Sequence, residues 1–198
     1  MGAYYYLMAQ LPSLVYDQKP PMSSGDFKAL AKTLLNQEDA TLLEHLSIDP
    51  EPQAGEGPAY AENAKPTGCS FIDGWREWER TFRLNLSRQR AVHLKREGSN
   101  TVEPPFVPAD AAVAASKAVI GDSSPLEAEI LVDKARWNAI EGLESNVYFH
   151  RNNIFAYFLK LLLLERRQAF NTDRGFSEYK SLYAEIVDSA HQSLGEPK

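Results

Sequence analysis

Ile154-Phe155-Ala156-Tyr157-Phe158-Leu159-Lys160-Leu161-Leu162-Leu163-Leu164 is the longest apolar run in the chain, and only Lys160 interrupts it. It is about half as long as the roughly 20 residues a membrane span requires. The helix that contains it, about Arg151 to Phe170, is apolar nearly all round, which places it at the centre of a bundle rather than on a surface. The remaining pattern fits around that centre. After it, Asp173-Arg174-Gly175 reads as a turn, and Phe176, Tyr179, Tyr183, Ile186 and Val187 give a last amphipathic helix. The final residues are polar and expected to fray.

Before the apolar run, Ser124-Pro125-Leu126-Glu127 is a strong helix start, with an N-capping Ser, Pro at the first helical position and Glu at the third. Leu126, Ile130, Trp137 and Ile140 should form the buried face of that helix, and Gly142 should end it. An Ala-rich helix stopping at Gly121 precedes it, itself preceded by a Pro-rich break over Asn100–Pro108. Further upstream a long helix is expected from Ser70 to Glu97, closed by Gly98. On it Phe71, Trp75, Trp78, Phe82, Leu86 and His93 project to one side at about 100° per residue. Arg76, Arg80, Arg83 and Arg90 form a stripe on another side.

The N-terminal part repeats the helical signature. Tyr4, Leu7, Met8 and Leu11 share one helix face, although tyrosines also suit strands. Ser23 and Asp26 make a capping-box-like pair ahead of Phe27, Leu30, Ala31, Leu34 and Leu35. Asn36 can end that helix and cap the next, whose apolar positions are Leu42, Leu43 and Leu46. A helical hairpin packed by leucines follows. Asp49 to Gly68 is rich in Pro and Gly and poor in large apolar residues, so it reads as a linker or long loop with little regular structure. The organisation is thus a helical segment over 1–48, a linker over 49–69 and a main bundle over 70–198, with 1–48 able to join that bundle in one domain. Alternating strand patterns and hairpin dipeptides are missing. The fold class expected is all-α, a bundle of about six to eight helices.

Composition narrows the function classes. The 198 residues carry a formal net charge of -6, which speaks against nucleic acid or an anionic membrane as a partner, because both need a basic surface. Every arginine lies after the linker, whereas the cations before it are lysines. The single cysteine, Cys69, rules out an internal disulfide framework and fits a reducing compartment. The first basic residue is Lys19, so a charged signal-peptide n-region is missing, and a cytoplasmic location is expected. Tyr6 stands where a myristoylation motif wants Ser or Thr. Asn85-Leu86-Ser87 reads as a chance sequon.

Chemical signatures are sparse. His45, His93, His150 and His191 are far apart, and none has a ligand-spaced partner, so no metal or cofactor is expected. Cys69 reads as an ordinary exposed thiol rather than a nucleophile. Phosphate-loop, dinucleotide and nucleophile-elbow motifs are absent, and no catalytic residue is assigned. The carboxylates Glu127/Glu129 and Glu77/Glu79 are two apart, which points them away from each other on a helix and reads as solvated surface. The arginine stripe is the candidate protein interface, since guanidinium groups hold carboxylates bidentately. Its bland alternative is neutralisation by Glu77, Glu79 and other acids in surface pairs worth little. Glu165 either begins the polar end of its helix or is a buried acid paired with a cation across the bundle.

Two segments carry a family resemblance. Tyr4-Tyr5-Tyr6-Leu7-Met8-Ala9-Gln10-Leu11-Pro12, with Phe27 to Leu35 behind it, resembles the start of a bacterial family of unassigned function encoded among V-type ATPase subunits. Ile154 to Arg167, with Phe170-Asn171 and Gly175, is similar to that family's C-terminal region. It is also similar to the helical repeat of the V/A-type ATPase C subunit, whose eukaryotic counterpart is the d subunit, where a Tyr-containing apolar helix leads into a Lys and a Glu. Arg76 to Arg90 looks like a further piece of the same pattern.

The resemblance implies a non-catalytic part, like the C subunit, at the base of the central stalk, between the soluble rotor shaft and the membrane ring of proteolipid subunits. Such a part transmits torque through packed surfaces and is peripheral to the membrane. A full-length C subunit has about three repeats, so this chain would supply part of that funnel. Tyr157, Lys160 and Glu165 carry over as structural candidates beside Trp75, Trp78 and Phe82. Two other classes stay open: a small all-α enzyme binding an anionic metabolite through the arginine stripe, and a helical adaptor unrelated to ATPases. The enzyme implies a concave pocket lined by Arg76, Arg80 or Arg83 with an acid; the stalk part implies an open surface.

Overall fold

Arg151–Ala169 forms one helix in which Ile154 through Leu159, Leu161, Leu163 and Leu164 are all buried, and the rest of the fold is arranged around it. The computed structural model describes residues 2–44, 46–48, 66–93, 125–169 and 172–194. Among them are seven helices: α1 (Gly2–Gln10), α2 (Ser24–Leu34), α3 (Gln37–Glu44), α4 (Ser70–His93), α5 (Pro125–Leu143), α6 (Arg151–Ala169) and α7 (Thr172–Leu194). The described residues contain no strand, and the fold is all-α. The expected linker up to residue 65, the Gly98 stop, the Pro-rich break and the Ala-rich helix lie outside the described residues.

Helix α6 packs against α1, α2, α4 and α5, while α4 also packs on α5 and α2 on α1 and α3. Apolar residues surround α6 because it meets neighbours on every side. Phe27 stacks on both Tyr157 and Phe158 at 5.4 Å, and Phe71 meets Phe155 at 6.2 Å. Segment 1–48 and the bundle after residue 70 share this one core.

The helix ends follow their local chemistry. Ser23 Oγ accepts the Asp26 N–H at 3.0 Å, and its hydroxyl donates to the Asp26 carboxylate at 2.7 Å. Asn36 Oδ1 accepts the Asp39 N–H at 2.8 Å, the cap its position suggests. Ahead of α4, Gly68 adopts φ +76°, where a side chain would be strained. The Asp73 carboxylate then accepts both the N–H and the hydroxyl of Thr67, at 2.8 and 2.9 Å. At Gly74 an added Cβ would lie 3.0 Å from Leu143, so glycine lets α4 approach the end of α5.

Three local expectations are corrected and one is refined. Asp173-Arg174-Gly175 is not a turn, because α7 starts at Thr172 and runs through it. The end of α5 falls at Leu143, one residue beyond the expected Gly142. Leu126 is 45% exposed rather than buried: α5 faces two helices at once, its inward side runs through Val132, Asp133, Arg136 and Ile140, and its first turn overhangs. Cys69 is fully buried, not an exposed thiol. Its carbonyl accepts the Asp73 N–H at 3.0 Å, so its place at the entry of α4 turns the side chain into the core.

Candidate functional site

The arginine stripe on α4 is engaged with acids of the same chain. Arg80 grips Glu77 with Nη2 at 2.7 and 2.8 Å and Nε at 3.2 Å, in the open. Arg83 donates to Glu79 at 2.6 Å and to the Ile48 carbonyl at 2.9 Å. Arg90 lies 3.9 Å from Glu129. Arg76 is half-buried and adds a small downward pull on the Asp73 carboxyl, which is lowered chiefly by its hydrogen bond from the Thr67 backbone.

Glu79 is not solvated surface. It is 7% exposed and receives Arg136 from α5, at 2.8 Å through Nη2 and 3.2 Å through Nε. Arg136 also reaches Asp133 at 3.3 Å, and Asp133 accepts from Arg166 of α6 at 3.1 Å. Arg166 in turn reaches Glu129 at 3.0 Å. This chain of alternating charges joins α4, α5 and α6. Burial raises the Asp133 carboxyl above its ordinary range, against the downward pull of Arg166 and Arg136. Burial alone would lower Arg136; Glu79 and Asp133 more than offset it and hold the guanidinium charged. Sequence reasoning missed Asp133 and Arg136. Both stand at helical spacing among the apolar residues of α5, which was the available signal.

The three residues singled out on α6 tie it to different elements. Tyr157 donates to the Pro12 carbonyl at 2.9 Å. Lys160 bridges Glu144 at 2.5 Å and Glu141 at 3.3 Å and lies 5.1 Å from the centre of the Trp137 ring. Glu165 accepts the Ser24 N–H at 2.6 Å, so it caps the N-terminus of α2, where a negative charge suits the helix dipole; among the described residues it forms no ion pair. Tyr157 and Lys160 line an open cleft of about 320 Å³ with Met8, Leu11, Pro12 and Tyr148; Glu165 is not part of it. Trp75, Trp78 and Phe82 are all buried. They stack as a ladder, 5.8 and 5.0 Å between successive rings.

Tyr4 closes a second buried cluster. Its hydroxyl donates to Asp39 at 2.5 Å, while Arg151 lies 3.7 Å from the other carboxylate oxygen. Burial, then the Asp39 hydrogen bond, pushes the Tyr4 hydroxyl up to about 12, and burial does the same at Tyr157. Each unfolded tyrosine ionises near 10. The folded state therefore keeps two protons that the unfolded chain loses, so this stability is complete below pH 10 and is lost as pH rises toward 12. Urea midpoints should fall across that window, and a Tyr4→Phe/Tyr157→Phe variant should show a shallower fall; an unchanged slope would exclude these two groups.

The surface adds two wet aromatic areas. Tyr5, Tyr6, Tyr148 and Phe149 are exposed and touch edge to face, Tyr5 and Phe149 at 4.8 Å. On α7, Phe176, Tyr179, Leu182, Tyr183 and Ile186 are 58–67% exposed, and α7 has no packing on another described helix comparable to the contacts within the bundle. Among the described residues no group of three or more His, Cys, Asp or Glu could hold a metal, and no helix is long and apolar enough to cross a membrane. Compared with protein-family models, with curated proteins and with solved structures, the chain matches none.

Proposed function

We propose that this chain is a non-catalytic component of a bacterial V-type ATPase, a central-stalk part akin to the C subunit that couples the soluble rotor to the proteolipid ring. The observation that carries the assembly part of this reading is the exposed apolar edge of α7. Contiguous apolar surface of that kind marks contact with another macromolecule, and tyrosine and phenylalanine are enriched in such contacts. The choice of assembly comes from the resemblance of segments 4–12, 76–90 and 154–167 to V-type ATPase-associated proteins. On this reading the chain sits peripherally at the inner face of the membrane, works without a cofactor and acts through packed surfaces. The Tyr5–Phe149 patch and, on α4, Arg76 and Arg90 are further contact candidates. The anionic-metabolite reading gains nothing from the stripe, because Arg80 and Arg83 already hold Glu77 and Glu79.

Affinity purification of the tagged protein from its host in gentle detergent tests the proposal. Rotor or ring proteins of the ATPase are expected to co-purify. Recovery of intact, fully coupled ATPase from cells lacking this chain would overturn the stalk assignment.

A further inference from the structure

We draw no further inference here: the strongest candidate, the exposed apolar edge that Phe176, Tyr179, Tyr183 and Ile186 form along α7, carries nothing more because nothing in the structure shows what covers it.

Discussion

Arg136→Ala is expected to lower the unfolding free energy by about 3–5 kcal/mol, the cost of removing one partner from a buried ion pair. The residue is 5% exposed and sits between Glu79 and Asp133, themselves 7% and 2% exposed. Taking the guanidinium away leaves two carboxylates with, among the described residues, Arg83 and Arg166 to balance them. The matched control is a variant that replaces Glu79, Asp133 and Arg136 together by apolar residues of similar size. It should be far less destabilised than Arg136→Ala, because the desolvation cost of the charges disappears with the pair. Urea midpoints measured at constant m-value read both. Equal losses in the two variants would show that Arg136 matters through its packing, not its charge.

Trp78→Ala should cost about 3–5 kcal/mol as well, by a different route. Its ring lies between Trp75 and Phe82 in the stacked ladder and is 8% exposed. Truncation removes the middle rung and leaves a hole that the two flanking rings can fill only by leaving their rotamers. A Trp78→Phe variant keeps most of the volume and should lose much less. Melting within a degree or two of the parent for Trp78→Ala would mean that the aromatic face of α4 is not core.

What the sequence made legible was whatever periodicity and capping encode. The apolar circumference of α6, the cap at Ser23, the Asn36 junction and the aromatic face of α4 were all readable, because each depends on residues within a few positions of one another. The ion network was not. Asp133 and Arg136 stand at buried-face spacing on α5, but only the meeting of α4 with α5 shows that Glu79 faces inward and that the three meet. Arg83 illustrates the same limit: on α4 alone it belongs to a solvent stripe, yet its side chain reaches back to the Ile48 carbonyl. Glu165 was readable as a special position but not as a cap, since Ser24 lies 141 residues earlier in the chain. The α7 edge was legible as amphipathic; that it stays wet is a property of the tertiary arrangement alone.

The N-terminal helices close onto α6 across most of the chain. Pro12 meets Tyr157 and Ser24 meets Glu165, separations of 145 and 141 residues, and Asp17 pairs with Arg167. A ribosome makes these partners in the wrong order for prompt burial. Leu7 and Phe27, both fully enclosed in the finished fold, have no α6 to pack on until Ile154 and its neighbours, more than 120 residues further along, are synthesised. The α1–α2–α3 segment therefore waits with its apolar side uncovered, and the closing step pays the entropy of a very long loop. Rapid helix formation followed by slow, late docking of the first 48 residues is the folding order this topology imposes. The interval before that docking is when the chain is most exposed to aggregation and to chaperones.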